Sequence, residues 1–491
     1  MQQRFVILGG GTAGWMAANL MAKQWGDKVA ITVIESPDIG IIGVGEGSTP
    51  SLKRFFEILE IPDATWMPAC QATYKVSIRF EGWSPQSGIK AYGHPFISQP
   101  DAFTEKALHA NCRARRVGLD VHTQPEDFLL NGVLAKQGKA ALAPENFPFR
   151  MEYGYHFNSG LLGEFLAEHA GSLNVERVQT RIVDVIRGTD GDIAALIDEH
   201  AGRYEADFFV DCTGFSAMLI EKTLGVEFES FASNLFNDSA VVLPSPPSET
   251  PPVETLSKAL SHGWMWRIPL TERFGNGYVY SSRYINQAQA EAELRRELGM
   301  ENDPTEARHL QMRVGQRERH WANNCLALGL SQGFIEPLEA TALHLVQVAI
   351  LEFIHVYEEG GFSEAKRDQY NAFVRERFER VRDYIVAHYK LNTRDDSQYW
   401  IDNRNNDNVS PTLDALLVAW FQREDMAAEI ERLGIGDHFN TTSWHCLLAG
   451  YGVFPPLVKN QPAHGDHYKA QEIAKFLHGC SLNFRPQTEV L

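Results

Sequence analysis

Cysteine is scarce and scattered in this chain of 491 residues, which contains six cysteines and no CxxC pair. The cysteines do not cluster with histidine, so neither a disulfide framework nor a zinc site is indicated, and we expect no metal. Long hydrophobic runs are also missing, because the apolar stretch at 345–354 is interrupted by Gln347 and Glu352 and is too short to span a bilayer. The first strand pattern begins near residue 4, which leaves no room for a signal peptide before it. We therefore expect a cytoplasmic protein that is not bound to a membrane.

Positive charge is in deficit, because 45 lysines and arginines stand against 63 aspartates and glutamates, which gives a net charge of −18. Such a balance disfavours binding to nucleic acid and to anionic membranes and mainly favours solubility. The length is sufficient for a full hydrophobic core and for roughly two or three domains. Composition thus excludes several classes of partner and leaves the chemistry open.

A glycine motif opens the chain in a strand, turn and helix context. The apolar run at 4–8 leads into GGGTAGW and a helix-forming run, and a second apolar run at 29–34 ends at an acidic residue. In such a motif the glycines permit a tight turn, a close approach to a pyrophosphate and close packing of helix on strand, and the acid accepts ribose hydroxyls. A glycine turn without a nucleotide is the weaker alternative. The residues expected to bind the dinucleotide are Gly9, Gly11, Thr12, Ala13, Gly14 and Glu35.

A second glycine-dense stretch, at 39–50, has four glycines within eight residues. So many glycines favour a loop that passes close to another group, and in a nucleotide-binding protein the nearest such group is the cofactor. Gly45 and Glu46 are therefore further candidates for cofactor contact. A flexible surface loop is the alternative, although the isoleucines and Val44 argue against full exposure.

Lys75 lies in an alternating stretch at 74–83, which is typical of a strand and places Lys75 and Ser77 on one face. On pattern alone, a solvated charge at a sheet edge is the favoured interpretation of this lysine. Glu339 is equally ordinary by pattern. It falls just after Pro337 at the start of a predicted long helix, where an acidic residue stabilises the positive end of the helix dipole.

Two aromatic groups stand out farther along the chain. Trp264 and Trp266 are two residues apart, so they share one face if this stretch is a strand, and there they form core or a wall. His94 and Phe96 flank a proline, where core packing is the default interpretation and a stacking platform the more specific one.

The remaining pattern predicts a discontinuous nucleotide-binding module. We expect a helix at 154–169, a β pair formed by 175–187 with 193–198, and a buried strand of the central sheet at 208–214. Five prolines at 244–252 predict an extended connector.

Six motifs are spread along the chain: GGGTAGW near the start, GVGEGSTP at 43–50, Tyr74-Lys75 with FEGW at 80–83, WMWRIP at 264–269, GFIEPLEAT at 333–341 and DYIVAHY at 383–389. Together they resemble those of the flavin-dependent tryptophan halogenases. WxWxIP together with the glycine motif is the specific part, and the matches span most of the chain. The resemblance implies that reduced FAD and oxygen convert a bound halide into hypohalous acid, which travels through a tunnel to a separate aromatic substrate.

By the same resemblance, Lys75 matches the lysine that holds the oxidant or is halogenated by it, and Glu339 matches the carboxylate that assists at the reacting carbon. The chemistry needs both types independently of the family. An ammonium or amine fixes and polarises hypohalous acid, and a carboxylate stabilises the arenium cation and removes its proton. The further residues implied are Thr341 and Ala342 at the halide through their backbone N–H groups, Trp264 and Trp266 between flavin and substrate, and His94 and Phe96 against the indole.

Two departures from the family pattern point away from free tryptophan. The tryptophan-specific members have Ser-Thr-Gly after the catalytic glutamate, where this chain has Ala340-Thr341-Ala342. The C-terminal tyrosines and acid that hold the amino-acid end of tryptophan have no match, and the nearest region is 443–446. The EPLEAT version resembles a branch that acts on indole or other simple arenes, some of whose members favour bromide. Because no nicotinamide site is evident, we expect a separate NADH-dependent flavin reductase to reduce the FAD.

The expected fold class is α/β. It comprises a doubly wound, Rossmann-like FAD-binding module of the flavin monooxygenase type, with substrate-binding insertions and a helical C-terminal part. We expect a discontinuous FAD-binding and halogenase core at 1–390 and a mainly helical, substrate-side subdomain at 391–491. Two alternatives stay open at this point: an aromatic flavin monooxygenase that hydroxylates its substrate, and a flavin-binding protein without catalysis.

Overall fold

The computed structural model describes residues 2–38, 40 and 45–491. Its strands, β1 to β22 in chain order, are Gln3–Leu8, Val29–Glu35, Gly45–Gly47, Thr73–Lys75, Ser77–Glu81, Ala91–Pro95, Gly154–Asn158, Glu176–Gln179, Ile182–Arg187, Ile193–Asp198, Arg203–Tyr204, Phe208–Asp211, Phe228–Ser230, Ser239–Ser245, Glu254–Leu260, Gly263–Pro269, Phe274–Tyr280, Arg308–Gln311, Gly315–Arg317, Trp321–Ala322, Cys325–Ala327 and Gly333–Phe334. Its helices, α1 to α15, are Thr12–Trp25, Ser51–Leu59, Asp63–Ala69, Glu105–Arg116, Leu130–Lys136, Ser159–Ser172, Gln287–Leu298, Ala342–Glu359, Arg367–Lys390, Gln398–Asn405, Pro411–Phe421, Met426–Leu433, Thr441–Gly450, His467–Ala470 and Ile473–Ser481. Within these residues no helix combines the length and the apolar composition that crossing a membrane requires.

Backbone contacts divide the chain into two compact units, each built from three segments. The first unit comprises Met1–Ala72, Phe157–Ala232 and Met312–Glu379, and the second comprises Thr73–His156, Ser233–Gln311 and Arg380–Leu491. Both units are thus discontinuous in sequence. The boundaries expected from sequence, 1–390 and 391–491, divide the chain at other positions and stay a prediction.

The first unit is built around a six-stranded sheet in the order β20-β21-β12-β1-β2-β8. Five strands run parallel, and β20 pairs antiparallel at the edge. Ile7, Val33 and Val210 in the central strands are fully buried, as expected for parallel strands covered on both faces. Helix α1 packs against α6 and α8. The doubly wound α/β fold is therefore confirmed, and the strand predicted near 208 lies beside β1.

The helix predicted over 154–169 is only partly correct, because β7 occupies the first five residues of this stretch. The alternating aromatic residues Tyr155 and Phe157 favour a strand. Helix α6 begins only at Ser159, where the side chain of Asn158 accepts hydrogen bonds from the first turn and caps the helix.

The stretch at 175–187 is divided between two sheets. Strand β8 pairs parallel with β2 in the large sheet, and only β9 forms the predicted pair with β10, in antiparallel orientation. The local pattern correctly predicts that both halves are strands. Which strand each half pairs with depends on tertiary packing, which the local pattern does not contain.

The second unit contains a seven-stranded sheet in the order β18-β14-β17-β16-β15-β5-β6. Its strands pair antiparallel except for β15 and β5, which run parallel. The proline-rich connector joins β14 to β15, two strands of this one sheet. Helices α10 to α15 follow, so the C-terminal part is largely helical, as expected.

The alternating stretch at 74–83 is not one strand. It is interrupted at Val76, whose carbonyl accepts a hydrogen bond from the N–H of Phe96. Strand β4 pairs with β7, whereas β5 joins the seven-stranded sheet between β15 and β6. Lys75 and Ser77 therefore belong to different sheets, and the shared face predicted for them is wrong.

Asp211 is fully buried at the end of β12. Its carboxylate accepts hydrogen bonds from the N–H groups of Thr213, Leu219 and Ile220 and from the hydroxyls of Thr213 and Ser331, at 2.7–3.0 Å. Asp211→Ala leaves three N–H groups without their acceptor, so we expect the free energy of unfolding in urea to fall by about 3 kcal/mol or more. Ser331→Ala removes one donor and should cost about 1 kcal/mol. Equal, small losses in both variants would contradict this assignment.

Candidate active site

The turn between β1 and α1 is held by close backbone contacts. Gly9 N–H donates to the carbonyl of Ile34 at 2.8 Å, and the φ of Gly9 is +115°, a region that favours glycine. A Cβ at Gly9 would be 2.2 Å from the carbonyl oxygen of Cys212, and one at Gly14 would be 2.0 Å from the carbonyl oxygen of Gly9. Gly11 caps α1, and a Cβ there would meet no described protein atom within 4 Å. The turn is thus tightly packed at Gly9 and Gly14 and open at Gly11.

Glu35 ends β2 and lies over the same turn. Its Oε1 accepts a hydrogen bond from the Arg177 guanidinium at 2.5 Å, and a Cβ at Gly10 would be only 1.7 Å from its Oε2. Sequence reasoning missed both neighbours. Gly10 is needed because a carboxylate covers it, and Arg177 reaches Glu35 because the strand order places β8 beside β2.

Thr12 and Ala13 contact protein through their side chains. Thr12 Oγ1 donates to the carbonyl of Ser159 at 3.4 Å, and a Cβ at Gly329 would be 2.9 Å from the Cβ of Ala13. Both residues can therefore serve a bound phosphate through their N–H groups at the start of α1, where helical N–H groups lack acceptors.

Glu46 lies in β3 and is half-buried. Burial raises the pKa of its carboxyl to about 7, an effect that a hydrogen bond with Ser159 partly opposes. Ser159 is the first residue of α6, so Glu46 lies close to the N-terminus of that helix. Residues 39 and 41–44 of the glycine-dense stretch lie outside the described residues.

Glu339 precedes α8 rather than belonging to its first turn, because α8 begins at Ala342. The helix-dipole interpretation of this glutamate is therefore wrong. A tight turn holds Glu339 in place, since Ala340 N–H donates to the carbonyl of Pro337 at 3.0 Å. Ala340 adopts a φ of +56°, a left-handed conformation that costs a non-glycine residue about 1 kcal/mol. The Glu339 side chain is held in a buried position, with 4% of the residue exposed.

Thr341 caps α8, and the N–H groups of Thr341 and Ala342 stand at a helix start, where intrahelical acceptors are absent. Thr341 is buried, and its Oγ1 has no hydrogen-bond partner among the described residues. Several donors at the N-terminus of an 18-residue helix form the kind of site that binds small anions.

Lys75 is fully buried, so the edge-charge interpretation is wrong. The register of β4 with β7 places Gly154 opposite Lys75, so no side chain stands across from the lysine. Lys75 Nζ lies 5.3 Å from the centre of the Phe96 ring, a cation–π contact worth about 2 kcal/mol when desolvated. A buried lysine is rare, because burying a charge costs free energy, and one stabilised by an aromatic ring indicates a functional role.

Trp264 and Trp266 lie side by side on β16, as their spacing predicts, with ring centres 6.1 Å apart. Both are buried. Gly277 of β17 lies opposite Trp266, and a Cβ there would be 2.1 Å from the indole. The indole of Trp266 therefore covers Gly277, a requirement that the local sequence around the glycine does not reveal.

His94 lies on β6 and is buried, and its ring stacks on Tyr384 with centres 6.1 Å apart. The register from β6 through β5 and β15 to β16 places His94 on the same face of the sheet as Trp266. Phe96 follows β6 and contacts Lys75, as described above.

The candidate residues are divided between the two units. The first unit holds the dinucleotide turn and the segment before α8, with Gly9, Gly11, Thr12, Ala13, Gly14, Glu35, Gly45, Glu46, Glu339, Thr341 and Ala342. The second unit holds Lys75, His94, Phe96, Trp264 and Trp266.

The glycine turn at α1, the acid ending β2 and the parallel sheet define a dinucleotide-binding protein of the doubly wound class. The residues present fit FAD, because the open approach at Gly11 suits a pyrophosphate and the carboxylate of Glu35 suits a ribose.

The sequence model of the tryptophan halogenases matches residues 4–465, and the chain belongs to this family. The 7-chloro-L-tryptophan 6-halogenase KtzR of Kutzneria sp. (strain 744) is 37% identical over 421 residues, which cover 81% of each chain. The solved structure of tryptophan 6-halogenase SttH from Streptomyces toxytricini gives a TM-score of 0.85 at 30% identity and covers 99% of both chains. BrvH, a flavin-dependent halogenase from Brevundimonas sp. BAL3, gives 0.84 at 31% identity and covers 100% of this chain and 98% of its own.

These similarities extend over both units and support a flavin-dependent halogenase over the aromatic hydroxylase that the sequence left open. The chain is therefore an enzyme of the flavin-dependent halogenase class, and the resemblance found in the motifs is confirmed at the level of the family.

Gly11 and Gly9 form a matched pair for testing the cofactor site. Gly11→Ala adds a methyl group that meets no described protein atom within 4 Å, so we expect the free energy of unfolding to fall by no more than about 1 kcal/mol, the cost of alanine at a helix N-cap. FAD affinity, measured by fluorescence titration, should fall about tenfold or more because the methyl group blocks the pyrophosphate. Gly9→Ala clashes with the Cys212 carbonyl and should destabilise the fold itself. Unchanged FAD affinity in folded Gly11→Ala protein would contradict this site.

Glu46→Gln tests the raised pKa of Glu46. Between the ordinary carboxyl pKa and about 7, the native state holds a proton that the unfolded state has lost. The stability that this proton contributes is therefore lost as pH rises through the folded-state pKa. We expect Glu46→Gln to gain stability relative to the natural protein as pH rises from about 5 to about 8, measured by denaturation along a pH series. A difference independent of pH would show that Glu46 is charged throughout.

Proposed function

We propose that this halogenase acts on indole or a similar electron-rich arene, with bromide preferred to chloride, and that Lys75 and Glu339 carry the chemistry. The observation that carries the proposal is the complete burial of Lys75 against the Phe96 ring, in the same unit as Trp264 and Trp266. A fold alone has no need of such a lysine, whereas delivery of an electrophile does.

When reduced FAD is bound, its chemistry with oxygen and halide supplies the electrophile, which is hypohalous acid. Lys75 holds this acid by a hydrogen bond to its oxygen, which polarises the oxygen–halogen bond and directs the halogen to one place. Burial of Lys75 keeps water from the oxidant, so the arene is the group that meets it. As the halogen bonds to carbon, the oxygen–halogen bond breaks, and the released hydroxide takes a proton from the Lys75 ammonium and leaves as water. The lysine regains its proton from solvent, which receives the proton that the ring later releases through Glu339.

Glu339 completes the reaction at the ring. Attack on the halogen leaves an arenium cation, which a carboxylate stabilises electrostatically. The same carboxylate then accepts the proton from the carbon that has gained the halogen, which restores the aromatic ring. The sum of the steps converts the arene and hypohalous acid into the haloarene and water.

The halide is bound by the N–H groups of Thr341 and Ala342 at the start of α8. The buried Thr341 hydroxyl adds a further donor. Bromide gives up its hydration more easily than chloride, which favours its binding at a buried donor site. Bromide is also oxidised more readily, which favours its conversion into hypohalous acid.

The residues around α13 support a substrate that lacks an amino-acid moiety. Trp444 is buried and packs on Tyr384 with ring centres 4.8 Å apart, and the Tyr384 hydroxyl donates to the carbonyl of Ser443 at 2.9 Å. None of these three side chains carries a charge that would complement the ammonium or carboxylate of a free amino acid. A simple arene has no such requirement.

The partners that follow are a small aromatic substrate and a separate NADH-dependent flavin reductase, because the chain has one dinucleotide motif and FAD occupies it. The net charge of −18 argues against nucleic acid and anionic membranes. We place the enzyme in the cytoplasm on the scattered pattern of its cysteines.

Product mass tests the proposal. The enzyme is incubated with FAD, a flavin reductase, NADH and indole, with bromide and chloride in parallel. We expect monohalogenated indole, in larger amount with bromide, and none from Lys75→Ala. Glu339→Gln should lower the rate about 100-fold or more, because the base is lost. A hydroxylated product that is independent of halide would refute the proposal, and preferential halogenation of tryptophan in competition with indole would refute its substrate.

A further inference from the structure

His156 of β7 is fully buried beside Lys75, and the chemistry described above does not use it. Its Nδ1 lies 3.1 Å from Thr73 Oγ1, and its Nε2 lies 2.9 Å from Thr255 Oγ1. Thr73 stands directly opposite His156 in the pairing of β4 with β7, and Lys75 is two residues along β4. The side chains of Thr73, Lys75 and His156 therefore share one face of this pair.

The carbonyl of Pro269 determines where the protons lie. Thr73 Oγ1 is 2.8 Å from this oxygen, and a carbonyl only accepts, so the Thr73 hydroxyl donates its one proton to Pro269. Thr73 Oγ1 must then accept the proton of His156 Nδ1–H. This leaves Nε2 as the acceptor for the hydroxyl of Thr255, and the imidazole satisfies both neighbours in its neutral form.

The positive charge of Lys75 also favours the neutral form of the His156 imidazole. Burial and the positive charge of Lys75 both hold the pKa of His156 well below its usual range. The imidazole therefore adds no second cation beside the lysine.

This hydrogen-bonded chain joins two sheets, because it links the β4–β7 pair to the paired strands β15 and β16 of the seven-stranded sheet. Thr255 lies in β15, and Pro269 is the last residue of β16, the strand that carries the two tryptophans. Thr73 lies in β4, a strand of three residues that ends at Lys75. So short a strand has few ladder bonds of its own, and the chain through His156 attaches it to β15 and β16.

We propose that His156 is a positioning residue for Lys75: the Thr255–His156–Thr73–Pro269 chain fixes the strand of Lys75 against the strand of Trp264 and Trp266. The inference rests on the function proposed above, because it assigns His156 a part in delivering the oxidant. When the chain is broken, oxidant still forms but is released before it reaches the arene. Oxygen consumption is then retained while the yield of haloarene per oxygen falls.

Thr255→Val and Thr255→Ser separate this hydrogen bond from packing, because valine keeps the shape without the hydroxyl and serine keeps the hydroxyl. Thr104→Val is the matched control. Thr104 is also buried in the second unit, and its hydroxyl donates to the carbonyl of Asp101 at 3.2 Å. Three quantities are measured with bromide and indole: oxygen consumed, haloindole formed, and free hypohalous acid trapped by monochlorodimedone.

We expect Thr255→Val to lower haloindole per oxygen about tenfold or more, with the missing oxidant recovered in the trap. Thr255→Ser should restore the natural ratio, and Thr104→Val should keep it even if its stability falls. His156→Gln, which retains one of the two hydrogen bonds, should move the ratio in the same direction and serves if Thr255→Val does not fold. An unchanged ratio in a folded Thr255→Val protein, or an equal change in Thr104→Val, would overturn the inference.

Failure of the proposed function is recognised separately, because the natural protein itself would then form no haloindole. His156 can be tested without activity by the nitrogen chemical shifts of histidine in ¹⁵N-labelled protein. We expect the Nδ1–H form at neutral pH, and an Nε2–H form or a charged ring would overturn the inference.

Discussion

Burial of the Lys75 ammonium is the constraint on which the second unit depends. A charge in a protein interior costs several kcal/mol unless its surroundings stabilise it. Here the Phe96 ring lies against the charge, Gly154 places no side chain opposite it, and His156 is neutral beside it. The interruption at Val76 divides this segment into two strands. Strand β4, which carries Lys75, can therefore pair with β7, while β5 pairs with β15 in the seven-stranded sheet.

The first unit contains two helix starts whose main-chain N–H groups lack intrahelical acceptors, α1 after Gly11 and α8 after Thr341. The proposed function assigns anionic groups to both. Backbone N–H groups are positioned by the geometry of the chain and not by the type of side chain. The sequence requirement therefore falls on nearby residues that must be small enough to allow close approach. Gly9 and Gly14 are such neighbours at α1. Under the proposed function the two units therefore divide the work: the first would bind anionic groups through its backbone, and the second holds the buried Lys75 and the aromatic residues through side-chain packing.

Local pattern predicted the features whose cause lies within a few residues. The glycine turn, the acid that ends β2 and the shared face of Trp264 and Trp266 are of this kind. It failed where the choice of a distant partner decides the outcome, as for the burial of Lys75 and the division of 175–187 between two sheets.

Gly10 and Gly277 are a second class that sequence reasoning missed. Each must be glycine because a side chain of a neighbouring strand covers it, the carboxylate of Glu35 at the end of β2 in one case and the indole of Trp266 in β16 in the other. No signal near either glycine carries that information. Only strand register brings the covering side chain to the same place.

The left-handed conformation of Ala340 affects both of its neighbours, Glu339 and Thr341. A positive φ at Ala340 followed by a right-handed conformation at Thr341 turns successive N–H groups toward a common side, which is the geometry of an anion-binding nest. The same turn must also hold the carboxylate of Glu339, whose charge would repel a halide on that side. A straight continuation of α8 through these residues would place both on one helical turn. The left-handed conformation of Ala340 leaves Glu339 outside the helix that begins at Ala342, and its cost of about 1 kcal/mol is small beside that of holding two anions together in a buried site.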